Sequence, residues 1–246
     1  PPKTKAYKAK WLLPREKAAL LTECGVKLHP EQEEIVAAPY RFILVTGGIQ
    51  AGKSYSANAK WFCEFTADLL RAKEEGWPLP LVYWLVAADY ERTDREFYYL
   101  VQALETIGWL GDHSKRVDPG YIEVGVKDEV GTWQQLAIIQ TKSAKDFRRL
   151  AKDAPMGIIG CEASQLDYDS YLRLQERTAP HKAWLYLSGT MEGSLGWYPQ
   201  LRKVWAGGGV ADSMAFILPS YSNVALFKGG ENDPELIRLR AESSAD

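Results

Sequence analysis

Cysteine is scarce in this chain. Cys24, Cys63 and Cys161 are the only three in 246 residues, and their spacing is neither paired nor of metal-ligand type. A disulfide framework and a thiolate metal cluster are thereby excluded, and a reduced, cytosolic setting is the expectation. Long apolar runs are missing too. No uninterrupted stretch reaches membrane-span length and no signal-peptide pattern is present, so no membrane partner is expected. Charge of one sign is also lacking. The formal net charge is −2, so any nucleic-acid surface must come from local clustering. There are no internal repeats. What remains is a globular composition, with enough residues for one large or two small domains.

Organisation follows from the apolar pattern. The first stretch, 1–15, is rich in Lys and Pro and reads as a basic arm. "LVYWLVA" at 81–87, bounded by "WPLP" and "ADY", predicts a buried strand. "YIEVGV" and "WQQLAIIQ" predict two strands around the turn-rich "KDEVGT". "PMGIIG", "AWLYLSGT" and "MAFILPS" predict three more. Arg92 to Ile107 has helical spacing through Phe97, Leu100, Val101 and Leu104. Strands alternating with helices imply an α/β fold with a mostly parallel central sheet flanked by helices. The main domain is expected over 16–228, with the polar tail 229–246 as the start of a linker.

One motif carries chemistry by itself. "TGGIQAGKS" matches G-x-x-x-x-G-K-[ST] completely: Gly47, Gly48, Ile49, Gln50, Ala51, Gly52, Lys53, Ser54. Glycines let the backbone curl so that successive N–H groups face one anion. Lys53 can reach the outer phosphates, and the Ser54 hydroxyl can ligate Mg²⁺. "RFILV" before the loop reads as a strand. From Ser54 and Tyr55 onwards the chain reads as a helix that stops at Gly76-Trp77-Pro78, and its N-terminus also favours phosphate. The loop therefore predicts a P-loop nucleotide site with ATP and Mg²⁺ as cofactors.

Hydrolysis requires a carboxylate at the end of a neighbouring strand. "GIIGCEASQL" offers Glu162 as general base; the alternative is a glutamate that complements a helix N-terminus. The usual pair at such a site is Asp-Glu, and Cys161 holds the Asp place. A thiol is a poor Mg²⁺ ligand, which leaves Ser54, phosphate oxygens and water, with Glu162 reaching the metal through water.

In this order the motifs resemble the ATPase (motor) domain of the large terminase subunit of tailed bacteriophages. "LHPEQEEIV" is similar to the adenine-contacting segment, with Gln32 at the matching position. "WLVAADYERTDREF" is similar to the strand and segment that follow the phosphate loop. "LSGTMEGSLGWYPQL" resembles the coupling motif, with Ser188, Gly189 and Thr190 at its core. "YSNVALFKGGENDPELIRLRAE" resembles the end of the motor domain and the linker beyond. The resemblance covers nearly the whole chain and implies a P-loop NTPase of the ASCE type. It implies ATP hydrolysis that drives double-stranded DNA into a procapsid, in the host cell cytoplasm. The implied partners are DNA through its backbone, the portal protein and the small terminase subunit. The motor is expected to be a homo-oligomeric ring when assembled and a monomer in isolation.

Residue by residue, Lys53 and Ser54 bind phosphate and Mg²⁺, Tyr55 completes the ATP-binding set, and Glu162 polarises water. Ser188-Gly189-Thr190 senses the γ-phosphate. "TKSAKDFRRLAKDAP" places Arg148 and Arg149 where such proteins carry an arginine finger; the alternative is a solvated basic face. Lys142, Lys145, Arg148, Arg149 and Lys152 form one candidate DNA surface, and Lys3, Lys5, Lys8 and Lys10 another. Ile49 and Gln50 leave unfilled the loop arginine common in the family, and the chain ends where the family's RNase H-like nuclease domain is expected to begin. The competing readings are a P-loop nucleotide or small-molecule kinase, a non-hydrolysing nucleotide-binding module and a helicase-like ATPase.

Overall fold

The computed structural model describes residues 14–145, 150, 154–191 and 196–243. The apolar runs become the strands of one sheet: β1 (Phe42–Gly47), β2 (Leu81–Ala87), β3 (Tyr121–Lys127), β4 (Trp133–Ser143), β5 (Gly157–Gly160), β6 (Trp184–Gly189) and β7 (Ser213–Leu218). Their order is β3-β4-β2-β5-β6-β1-β7. Every neighbouring pair is parallel except the edge pair β3–β4. An antiparallel pair needs only a short turn, and "KDEVGT" provides it; parallel pairs need crossovers. The helices are α1 (Pro14–Glu23), α2 (Pro30–Ala37), α3 (Lys53–Glu75), α4 (Asp94–Thr106), α5 (Tyr168–Arg177), α6 (Trp197–Ala206) and α7 (Pro234–Ser243). This is the helix-flanked, mostly parallel sheet expected from the sequence.

Strand alternation sorts the core into two layers. Ile43 and Val45, Tyr83 and Leu85, Ile159, and Trp184 and Tyr186 pack on one side with Ile35, Trp61, Phe65 and Leu100 of α2, α3 and α4. Leu44, Trp84 and Val86, Ile158, and Leu185 and Leu187 pack on the other with Tyr171, Leu174, Tyr198 and Trp205 of α5 and α6. Since β6 lies between β1 and β5, the ends of three strands, at Gly47, Gly160 and Gly189, come side by side. Ligands in open α/β sheets sit beyond such carboxyl ends.

A buried polar cluster stitches α3 to the sheet. The Asp68 carboxylate accepts hydrogen bonds from Tyr83 Oη at 3.0 Å and Trp184 Nε1 at 3.4 Å, and Arg71 lies 3.3 Å from it. Burial outweighs Arg71 and pushes the Asp68 pKa from 3.8 up to about 7. The folded state therefore holds a proton between about pH 4 and 7 that the unfolded chain has released. The stability from Asp68 is complete below pH 4 and is lost as the pH rises through 7, a change on the order of a few kcal/mol. Asp68→Asn should keep the hydrogen bonds without this penalty. Urea unfolding at pH 5 and pH 8 should then show less loss of stability in the variant than in the native chain. Equal losses would show that Asp68 stays ionised in the fold.

Candidate nucleotide-binding site

The phosphate loop connects β1 to α3 and bends where the sequence permits it. Gly52 has φ +86° and Gln50 φ +58°, both left-handed. A Cβ at Gly52 would lie 2.4 Å from Gln32 Nε2, and one at Gly47 would lie 2.2 Å from the Leu218 carbonyl oxygen. Glycine is thus required at Gly47 by the close approach of β7 and at Gly52 by the left-handed turn of the loop.

Segment 220–223, after β7, braces the loop from outside. Ser220 Oγ donates to the Ile49 carbonyl at 2.8 Å, and Asn223 Nδ2 donates to the Gln50 carbonyl at 2.7 Å. From α2, Gln32 Nε2 donates to the Gly52 carbonyl at 3.0 Å, while its Oε1 accepts from the His29 N–H at 3.1 Å. Gln32 therefore links the start of α2 to the phosphate loop and also lines the cavity beside it. Ile49 is exposed and Ala51 fully buried. Tyr55 lines the cavity as well, edge-on to Tyr99 with ring centroids 5.4 Å apart.

That cavity, about 840 Å³, is lined by Lys53, Ser54 and Glu162 together. Lys53 Nζ donates to the carbonyls of Gly48 (2.9 Å) and Gly47 (3.2 Å) and to Thr190 Oγ1 (3.3 Å). Burial holds the ammonium below the ordinary lysine range, and the Glu162 charge opposes that shift. Glu162 follows β5 directly. Its backbone is left-handed (φ +45°, ψ +48°), a conformation that costs a non-glycine residue about 1–3 kcal/mol. The strain turns a half-buried carboxylate out of the sheet end towards the cavity.

The predicted coupling strand lies between these two groups. Ser188 Oγ donates to the Gly160 carbonyl at 3.3 Å, just before Cys161-Glu162. A Cβ at Gly189 would lie 3.0 Å from the backbone N of Ser164 and from Tyr198 Oη. Thr190 reaches Lys53. The Ser-Gly-Thr strand end thus touches both the phosphate loop and the acidic segment.

Two residues at this site had no role assigned from the sequence. Arg95, exposed in the first turn of α4, lines the cavity with Lys53 and Glu162. Glu96 beside it is 2% exposed, and its backbone carbonyl accepts a hydrogen bond from Asn58 Nδ2 of α3 at 3.1 Å. One signal for Glu96 was present: it falls on the apolar stripe of α4, four residues before Leu100 and seven before Ala103. Burial pushes Glu96 up to about 7, and the neighbouring Ser54 hydroxyl opposes that shift. Burial, reinforced by the Glu96 charge, holds the Cys161 thiol well above its ordinary range. Cys161 is therefore a neutral thiol and unsuited to Mg²⁺, whereas the Ser54 hydroxyl and the Glu162 carboxylate that line the cavity are oxygen donors that suit it.

No protein-family model matches the sequence, and no curated protein matches it. Solved structures do match. A point mutant of the large terminase ATPase domain of Thermus phage P74-26 superposes with a TM-score of 0.64 at 16% identity, over 88% of this chain and 93% of that one. The same domain without the mutation gives 0.62 at 14% identity, over 88% and 92%. The chain has the fold of a large terminase ATPase domain. The large terminase of a thermophilic bacteriophage gives 0.62 at 16% identity, over 83% of this chain and 49% of that one, so the match spans about half of that protein. Structures of that terminase are in complex with ADP and with ATP-gamma-S.

On this terminase-ATPase fold, the candidate finger residues Arg148 and Arg149 lie outside the described residues, as do Lys152 and residues 1–13 of the basic arm, whose last two residues, Pro14 and Arg15, belong to α1. Lys142 is buried, with Nζ 5.1 Å from the centre of the Trp84 ring, so it is not part of a DNA-facing surface. Lys145 is well exposed, 4.0 Å from Asp89. Beyond the phosphate-loop brace, α7 lies near Ile49 and Gln50 across a second cavity, and its Leu236 is buried. Among the described residues no helix is long and apolar enough to cross a membrane.

Proposed function

We propose that the chain is the ATP-hydrolysing motor domain of a viral DNA-packaging terminase, driving double-stranded DNA into a procapsid. The observation that carries the reading is the meeting of Lys53, Ser54 and Glu162 in one cavity, with Thr190 in contact with Lys53. Lys53 binds the outer phosphates and Ser54 holds the metal. Glu162 takes the proton of the attacking water, directly in line with its place at the end of β5. Mg²⁺, when bound, would be held by Ser54 and would supply positive charge against the negative charge that develops on the phosphates. Thr190 exchanges Lys53 for the terminal phosphate as its partner, and Ser188 passes the change to β5. Arg148 or Arg149 supplies the finger, acting on a neighbouring subunit of a ring. DNA is held through its backbone, and the portal protein and small terminase subunit are the assembly partners in the host cytoplasm.

The test is phosphate release from ATP and Mg²⁺, with no added acceptor, over a range of protein concentrations. A rate per subunit that climbs with concentration is the expected result, since the finger comes from a neighbour. ATP binding without release at any concentration would leave a nucleotide-binding module, and release of product only when an acceptor is added would make the chain a kinase.

A further inference from the structure

Arg95 is a cation left over in the nucleotide cavity. Lys27, Lys53 and Arg95 line that cavity against one carboxylate, Glu162, so positive charge predominates there. Lys53 is held by the carbonyls of Gly47 and Gly48 and by Thr190. The Arg95 guanidinium is not held in this way: among the described residues it makes no hydrogen bond and no ion pair. Asp94, the acid next to it in the chain, is taken by Arg116, which also donates to Asp118 and to the Tyr90 carbonyl, each at 2.9 Å.

Two contacts register α4 against the helix of the phosphate loop. Asn58 Nδ2 of α3 donates to the Glu96 carbonyl at 3.1 Å, which pins the first turn of α4 to α3. One turn after Arg95, Tyr99 lines the same cavity and meets Tyr55 of α3 edge-on, with ring centroids 5.4 Å apart. Residues four apart share a helix face, so Arg95 and Tyr99 look onto the cavity together. Strand order supplies the direction. It runs β2-β5-β6-β1, with α4 following β2, Glu162 following β5 and the phosphate loop following β1. Glu162 therefore comes from between Arg95 and the phosphate loop. A triphosphate seated in the loop extends its last phosphate towards Glu162, the side from which Arg95 enters. Arg95 and Lys53 also repel each other across the cavity, and an anion between them removes that cost.

We propose that Arg95 binds the terminal phosphate of the nucleotide held by its own subunit. A guanidinium suits this task because its planar fork donates two hydrogen bonds to one phosphate. ADP lacks that phosphate, so Arg95 lets the chain tell the nucleotide before hydrolysis from the one after it. The finger from a neighbouring subunit is a separate cation, and Arg95 needs no second copy of the chain. The proposal rests on the nucleotide-site reading above, and its test separates the two.

The experiment displaces fluorescently labelled ADP from the chain with unlabelled ADP and with the non-hydrolysable triphosphate AMP-PNP, in Mg²⁺. It is run at a concentration where light scattering shows single chains, and again at high concentration. Arg95→Ala should bind AMP-PNP about 10- to 100-fold more weakly than the native chain and ADP within about twofold, the loss expected for a hydrogen bond between charged groups made only to the last phosphate. Arg95→Lys should recover part of the loss, because the charge returns without the fork. Unchanged AMP-PNP affinity in Arg95→Ala would overturn the proposal while leaving the nucleotide site intact. So would equal losses for ADP and AMP-PNP, which would place Arg95 on the inner phosphates or in the support of α4. A loss confined to the high concentration would assign Arg95 to a neighbour's nucleotide and overturn its action within one subunit. No binding of labelled ADP by the native chain would overturn the nucleotide site itself, and the role of Arg95 with it.

Discussion

Glu162→Gln should lower phosphate release by on the order of 100- to 10,000-fold while ATP still binds. Glutamine preserves the shape and the hydrogen-bonding reach of the side chain but cannot accept a proton from water. The backbone argument makes the separation clean. Glu162 occupies its left-handed conformation because the Cys161 N–H donates to the Val86 carbonyl at 2.7 Å, which anchors the sheet end, and because the turn at Ala163–Gln165 follows at once. Neither restraint involves the carboxylate, so the variant should fold normally. The Glu162 charge also opposes the effect of burial on Lys53, so its loss should make Lys53 slightly easier to deprotonate; at neutral pH the ammonium still binds phosphate. Steady-state phosphate release and equilibrium ATP binding, measured on the same preparation, check both halves. A variant that keeps more than about a tenth of the native rate would remove Glu162 as the base and leave it as a helix-terminal carboxylate.

The phosphate loop was legible in the sequence because its chemistry is local. Gly47 to Ser54 are consecutive, and the strand before and helix after them carry their own periodic signals. Glu162 was legible for the same reason, as the first acidic residue after a short apolar strand. What could not be read was anything delivered by topology. Glu96 lies 42 positions from Ser54 and 65 from Cys161, and only the order β2-β5-β6-β1 brings α4, β5 and the phosphate loop together. The brace from Ser220 and Asn223 spans more than 170 residues. Lys142 shows the opposite failure. Its run of neighbouring cations reads as a solvated or DNA-facing surface, but it lies inside β4, one residue before its end, and strand alternation turns it under, onto Trp84.

Lys60→Ala should destabilise the fold by about 3–5 kcal/mol, the usual result of removing one partner of a buried ion pair. Lys60 and Glu64 pair at 2.9 Å one turn apart on α3, with side chains 2% and 4% exposed. The Lys60 ammonium also donates to the carbonyls of Val36 (3.3 Å), in the last turn of α2, and of Ala38 (2.7 Å), which follows it. Lys17 of α1 adds a third bond to the same end, to Val36 at 3.0 Å, and burial pushes its pKa down to about 8. Cations at a helix C-terminus satisfy carbonyls that the helix itself cannot. In Lys60→Ala the Glu64 carboxylate stays buried without its partner, and the C-terminus of α2 loses two donors. A loss of that size is a large part of the total stability of an ordinary domain. It also reaches the nucleotide site, because α2 carries Gln32 and Gln32 holds the Gly52 carbonyl. The paired variant Lys60→Met/Glu64→Leu should be milder than Lys60→Ala, since it removes both charges of the pair together. Chemical unfolding of the three proteins decides the matter. If Lys60→Ala costs under about 1 kcal/mol, the pair behaves as an exposed one and α2 is held by its apolar contacts alone.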